Sequence, residues 1–463
     1  MPGSYNPFPI NALPPDLAHL ISKYDGRAPR YTSYPTALQF QPMAADQWLS
    51  GWSDSETDLS LYLHIPYCQH LCYYCGCFKE HAKPGALGQG IVDSLLQEAR
   101  VYAAQMPNRR ITQLHLGGGT PSFLTLEQMR TLIDGLAALW QLAADQGDFS
   151  IELDPRVVNA DYLQGLRELG FNRLSLGVQD FNLATQKAIH REQSLIEVAE
   201  ISLAAKSLGF HGLSFDLIYG LPKQSVESFA QTIAQVKLLN PDRVAMYSYA
   251  HLPARFSAQQ RISEQDLPSA SEKLQMLVMA SASLQQAGYQ QIGMDHFAKG
   301  KDPLLLAQQQ GRLQRNFQGY STQAGLDILA LGPSAISRRA GQFAQNVKDT
   351  KVYQESLAND QLPIVAGYLS TAEDLRRSWV IQQLSCAQPV LFDHYWQRFA
   401  RHFEQDFAEL WPRLETLQQD GLIVMQPERI SVTPVGRYLL RAICVLFDAY
   451  FEPQTSHAHS RIL

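Results

Sequence analysis

The 463-residue chain contains no apolar run approaching the ~18 residues that span a bilayer. Its first Lys or Arg is Lys23, so the basic start of a secretory signal is missing too. Both absences predict a cytosolic protein, in a compartment where thiols stay reduced. No run of basic residues appears. Against 44 Asp and Glu stand 38 Lys and Arg, a net charge of −6, which argues against a nucleic-acid phosphate footprint. Cysteine is scarce at six residues, yet four of the six fall between Cys68 and Cys77. Crowded thiols in a reducing compartment point to metal or redox chemistry and away from a disulfide framework. A hydrophobic content of 45% excludes disorder, and the length allows two or three domains or one large α/β domain with a smaller one.

Residues 1–57 are Pro-rich, with Pro7, Pro9, Pro14 and Pro15 breaking any long helix, and read as an extended arm carrying Arg30-Tyr-Thr-Ser-Tyr-Pro-Thr36. From 58 to 300, short apolar runs alternate with helical patterns. Strands are predicted at 59–65, 113–116, 149–153, 173–178, 213–219 and 243–249, with a weaker seventh at 289–294. Such alternation predicts right-handed βαβ units and a parallel sheet. His64, Gly117–Gly119, Glu152, Asp154, Gln179, Asp180, Asp216 and His251 fall near the C-terminal strand ends. In a (β/α) barrel those ends meet at one mouth, so an α/β fold with an incomplete barrel is expected in preference to a doubly wound sheet. Residues 301–365 read as loops or an extension over the mouth. Residues 366–463 read as a mainly helical, winged-helix-like domain with a hairpin at 422–432 and no basic stripe.

Cys68, Cys72 and Cys75 make a C-x3-C-x2-C directly after the first strand. A structural zinc site wants four ligands, usually in separated pairs. Three thiolates on one tight loop would instead leave one iron of a [4Fe–4S] cluster open to a substrate or cofactor. Cys77 is read as a non-ligand, because C-x-C after two close ligands reaches poorly around a cube; a zinc or redox-thiol site is the rival reading.

With an aromatic just before the third cysteine, this pattern resembles the radical S-adenosylmethionine (SAM) superfamily. Tyr62-Leu-His-Ile-Pro-Tyr-Cys68, Gly117-Gly-Gly-Thr-Pro121, Asp216-Leu-Ile-Tyr-Gly-Leu-Pro222, Gly293-Met-Asp-His-Phe297 and Asn316-Phe-Gln-Gly-Tyr320 narrow it. Together with the arm they are similar to the oxygen-independent coproporphyrinogen III oxidase family. Phe78 stands where relatives commonly carry Asn. The resemblance implies one [4Fe–4S] cluster on Cys68, Cys72 and Cys75, with Cys77 a functional non-ligand, and two SAM molecules. It assigns Tyr62, Gly118, Glu152 and Ile336 to the first SAM, and Tyr74, Gly119, Thr120, Gln179, Arg191, Asp216 and Ala250 to the second.

The implied reaction is oxidative decarboxylation of two propionates of coproporphyrinogen III to vinyl groups, giving protoporphyrinogen IX in porphyrin biosynthesis. Reductive cleavage of SAM would start it by removing a hydrogen from the propionate β-carbon. An electron donor and a terminal acceptor are implied partners, in a chain expected to be monomeric. Four propionates call for cationic or N–H donors, and Arg30, Tyr31, Arg312 and Arg315 are the candidates. The alternatives are a haem-binding or haem-trafficking paralogue, disfavoured by Cys77 and the Tyr31–Pro35 arm, and a radical SAM enzyme acting on another tetrapyrrole. A DNA-binding regulator is more distant.

Overall fold

Six strands and the helices between them place the site, and their alternating side chains explain the architecture. The computed structural model describes residues 17–50, 52, 57–452 and 459–462; Pro7, Pro9, Pro14, Pro15 and His457 lie outside them. The strands are β1 (Leu59–Ile65), β2 (Arg110–Gly118), β3 (Asp148–Leu153), β4 (Arg173–Gln179), β5 (Gly212–Tyr219) and β6 (Arg243–Ser248). They pair in parallel in chain order, each new strand joining the same edge. Helices α1 (Ala86–Gln105), α2 (Leu126–Ala137), α3 (Ala160–Glu168), α4 (Leu195–Ser207), α5 (Val226–Leu239) and α6 (Ala270–Gln286) follow them in turn.

Alternation decides which way each strand faces. Leu59, Leu61, Leu63 and Ile65 of β1 are 0% exposed and belong to the main core. The intervening Ser60, Tyr62 and His64 point to the other side, and the same rule turns Gln113, His115, Ser150, Glu152, Ser175, Asp216 and Tyr247 into the lumen. The lumen is therefore polar and hollow, where a closed (β/α)8 barrel would pack branched apolar side chains. Helix starts are set locally: Thr125, Ser194, Ser225 and Ser269 each cap a helix in a reciprocal capping box.

The sheet stays open. The weak seventh strand becomes β7 (Tyr289–Ile292), but it forms a hairpin with β8 (His296–Lys299), which pairs antiparallel with β6. Within 301–365, read from the sequence as loops or an extension over the mouth, the structure forms strands. β9 (Asp327–Leu331) runs parallel to β1, and β10 (Ile336–Arg339), β11 (Gln342–Asn346) and β12 (Ile364–Leu369) continue the sheet antiparallel. These strands are only four to six residues long, too short to show a period among the Gln and Gly residues.

Past residue 371 come helices Ala372–Ser385, Phe392–Phe399 and Trp411–Gln419 and a three-stranded sheet in the order 390–391, 429–432, 423–426. Pro434 would suit the first turn of a helix directly after Thr433. The chain instead turns and passes through a short 3-10 segment, Gly436–Leu439, before helix Leu440–Val445. The arm docks on this domain: the Tyr31 hydroxyl donates to Asp448 at 3.0 Å, and the Tyr34 hydroxyl accepts from the Ala449 N–H at 3.0 Å. Among the described residues no helix is long and apolar enough to cross a membrane.

Candidate active site

Beyond β1, Tyr67–Cys68 pairs with Glu80–His81, which pins residues 69–79 as a loop closed at its base. The loop is tied to neighbouring elements by backbone atoms. Tyr73 N–H donates to the Ile189 carbonyl (3.0 Å), and the Gln259 side-chain amide donates to the Tyr74 carbonyl (2.9 Å). Cations gather around its sulfurs: Arg191 donates to Cys72 Sγ at 3.4 Å, Arg156 donates to the same atom at 3.8 Å, and Lys79 donates to the Cys75 carbonyl at 3.0 Å. Thr120 Oγ1 lies 3.2 Å from Cys68 Sγ. The exposed Cys77 stands beside Cys75; their hydrogen bond, with help from Lys79, lowers the Cys75 thiol to about 6, whereas burial pushes Cys68 up to about 11.

Among the described residues no three His, Cys, Asp or Glu side chains converge on a single-ion site. Three thiols spread along one loop, facing guanidinium and ammonium groups, fit an iron–sulfur cluster, whose thiolate shell is stabilised by nearby positive charge and N–H donors. Asp154 anchors both arginines, at 2.6 Å to Arg156 and 3.2 Å to Arg191. Burial opposes its ionisation, but the two guanidiniums outweigh burial and bring it down to about 2.

The glycine turn ending β2 lies flat against this loop. Gly118 has φ +113°, and a Cβ there would sit 2.8 Å from the His64 ring; a Cβ on Gly119 would meet the Tyr67 carbonyl oxygen at 2.8 Å. Glycine is therefore required at both positions, and the turn carries Thr120 to Cys68. Of the residues assigned to the first SAM, Tyr62 stacks on His115 (centroids 5.7 Å apart, 17° between planes), and His115 reaches Glu152 at 3.3 Å. Tyr62 and Ile336 line a cavity of about 450 Å³ with His64, Phe317, Ser334 and Ala335. Burial holds His64 down at about 4, so the ring is neutral. Its Nε2–H donates to the Phe78 carbonyl (3.1 Å), which leaves Nδ1 to accept from the Tyr62 hydroxyl (3.2 Å).

Arg191, assigned to the second SAM, is buried and also donates twice to the Gly177 carbonyl (3.1 and 2.5 Å). A Cβ on Gly177 would crowd both Arg191 and Gln179 at 2.9 Å, so that glycine lets the pair converge. Tyr74 lies within electrostatic reach of Arg191, and Gln259 donates to the Tyr74 and Ala250 carbonyls together (2.9 and 3.0 Å). Asp216 sits deeper, at mid-strand in the lumen, accepting from Ser175 Oγ at 3.0 Å; burial first, then the Glu152 charge, pushes it up to about 7.

The substrate candidates are dispersed. Arg30 donates to the Ser248 carbonyl (2.6 Å) at the end of β6. Tyr31 is not at the mouth: it is 3% exposed and turned to Asp448. Arg312 is exposed and bonds the Gln310 side chain. Arg315 is locked on Asp295 by paired bonds of 3.1 and 3.2 Å and lies over the Tyr320 ring. Asp180 is a structural carboxylate, accepting from Thr232, Gln224 and the Asn182 N–H. Sequence reasoning missed His115, Arg156, Lys79 and Gln259. Strict alternation along β2 would have found His115; nothing local marks Gln259, which lies in a short 3-10 turn.

An open parallel sheet bearing three thiols, a glycine turn and guanidinium groups at its mouth defines a radical SAM protein. The Radical SAM superfamily model matches residues 62–236 and the HemN C-terminal domain model residues 371–439. The oxygen-independent coproporphyrinogen III oxidase of Pseudomonas aeruginosa is 45% identical over 452 residues, covering 96% of this chain and 98% of that one. Its Escherichia coli counterpart is 44% identical over 439 residues (94% and 96%). The solved structure of E. coli coproporphyrinogen III oxidase, HemN, a radical SAM enzyme, superposes with a TM-score of 0.89 at 42% identity, covering 94% of this chain and 99% of that one. The chain belongs to the oxygen-independent coproporphyrinogen III oxidase family.

Proposed function

We propose that the chain carries out oxidative decarboxylation of two coproporphyrinogen III propionates to vinyl groups, without oxygen, giving protoporphyrinogen IX in haem biosynthesis. The observation that carries this reading is near-full-length kinship with named oxidases, joined to a thiol loop ringed by cations. Cys68, Cys72 and Cys75 would hold one [4Fe–4S] cluster. The bound cluster and SAM supply the one-electron chemistry that removes a hydrogen atom from the propionate β-carbon; the substrate then loses carbon dioxide and one electron to an acceptor.

The chain's own residues place and shield. Arg191, Arg156 and Lys79 offset negative charge at the sulfurs, and Asp154 keeps the two arginines aimed there. Tyr62, Gly118, Glu152 and Ile336 would seat the first SAM, His115 holding the Glu152 carboxylate in place. Tyr74, Gly119, Thr120, Gln179, Arg191, Asp216 and Ala250 would seat a second, with Gln259 bracing Tyr74 and Ala250. Placement at near-contact distance in a shielded lumen is the protein's contribution to rate.

Reconstituted protein incubated anaerobically with SAM, a reductant and coproporphyrinogen III should yield product showing two successive losses of carbon dioxide plus two hydrogens by mass. A holoenzyme that cleaves SAM yet leaves the substrate mass unchanged refutes the reading.

A further inference from the structure

Between β6, the arm and the C-terminal domain lies a cavity that the cofactor assignments leave unused. Arg30, Arg315, Arg437 and Arg441 line it, against a single carboxylate, Asp295. Arg315 is committed to that carboxylate. Arg441 directs its N–H groups to backbone carbonyls of the arm and the C-terminal tail: Ala28, Pro29 (3.1 Å), Ser460 (3.0 Å) and Arg461 (2.6 Å). Carbonyls satisfy the donors without neutralising the charge. Burial, reinforced by the Arg30 charge, lowers Arg441 to about 9, opposite to what a carboxylate partner would do. Arg30 enters from the arm, gives one N–H to the Ser248 carbonyl, and has no other hydrogen-bond partner among the described residues. Among the described residues, Arg30 and Arg441 therefore bring positive charge to the cavity that no carboxylate lining it matches, a costly arrangement unless an anion completes it.

Its position says which anion. Ser248 ends β6, and Ala250, two residues on, is assigned to the second SAM, so the cavity adjoins the mouth. A substrate with four similar propionates that reacts at only two must be held by the others, since a charged group on a fixed anchor discriminates far better than shape alone. Resting on the function proposed above, we infer that this cavity receives a propionate that is not being decarboxylated. Arg30 contacts its carboxylate directly, and Arg441 acts as a positioning residue that holds the arm, and so Arg30, in place.

The test uses the reconstituted holoenzyme, with coproporphyrin III as a fluorescent binding probe and coproporphyrinogen III as substrate. Loss of a charge-assisted hydrogen bond predicts that Arg30→Gln weakens probe binding roughly 10- to 100-fold. The loss should appear as a raised KM, with cluster absorbance and bound SAM unchanged, and Arg30→Lys should recover part of it. Arg413→Gln, exposed on the C-terminal domain, should leave KM at the wild-type value. Wild-type Kd and KM in Arg30→Gln would overturn the inference. So would inorganic phosphate or sulfate binding that Arg30→Gln abolishes without changing probe affinity, because the cavity would then be a site for an inorganic anion. Failure of the wild-type holoenzyme to turn over would count against the functional reading, while the probe Kd still reports on the anchor separately.

Discussion

Two groups of arginines flank the mouth of this sheet, and they are balanced differently. On the cluster side, Arg156 and Arg191 share Asp154 and turn their remaining donors to a sulfur and a carbonyl. On the arm side, Asp295 is taken by Arg315, and Arg441 leans on backbone carbonyls and the Ser460 hydroxyl, with no carboxylate among its described hydrogen-bond partners. The first arrangement is complete within the protein and suits a resident cofactor. The second leaves positive charge over and suits an anion that comes and goes. Whether a buried charge is matched by a countercharge or only by hydrogen bonds thus separates scaffold from docking site.

The cluster side should break most completely at the three cysteines proposed to hold the cluster. Cys68→Ser, Cys72→Ser or Cys75→Ser should abolish the cluster's visible absorbance and all turnover, while Cys77→Ser keeps the absorbance; loss of the cluster in Cys77→Ser would reassign it as a ligand. Next in size is Asp216→Ala, which should lower bound SAM from two per chain to one, counted after gel filtration, with the cluster intact. Two SAM still bound would remove Asp216 from the second site.

Asp154→Ala attacks the balance itself. It leaves Arg156 and Arg191 buried without their carboxylate, and breaking such a pair costs ~3–5 kcal/mol. Denaturant unfolding of the anaerobic protein should show that loss, whereas a change under ~1 kcal/mol would mean that the Gly177 carbonyl and the sulfur suffice alone. The smallest effect sharpens the comparison from the opposite sign. Glu98 is a fully buried carboxyl with no cation beside it, accepting from Gly332 N–H (2.9 Å), Asn346 (2.7 Å) and Tyr353 (2.5 Å). Burial raises it from 4.5 to about 7. It holds its proton more tightly folded than unfolded, so its stability contribution is full below about pH 4.5 and is lost as pH rises through about 7. The melting temperature of wild type relative to Glu98→Gln should fall across that window; a flat difference would show that the three hydrogen bonds hold the carboxyl ionised throughout.

Much of the site was legible because its residues announce themselves over short spans. The cysteine spacing, the glycine run and the six strand ends are local patterns, and β1 begins and ends where its apolar run does. Tyr62, Glu152 and Ile336 were named on resemblance, and the structure brings Tyr62 to Ile336 in one cavity and to Glu152 through His115. Which way Arg312 and Tyr31 turn was not legible, because an arginine or tyrosine in a loop carries no sign of its partner. Tyr31 turned to Asp448, 417 residues away.

The division follows from range. Sequence alone determined the cysteine loop and the parallel βαβ order, since each depends on side chains within a few residues of one another. Only the tertiary structure decided that β9 to β12 extend the sheet, that Asp154 balances two arginines, and that Arg30 and Arg441 meet in one cavity. Those outcomes depend on which distant backbone carbonyls and carboxylates come within hydrogen-bond reach, and a hydrogen bond between residues hundreds of positions apart leaves no periodicity to read.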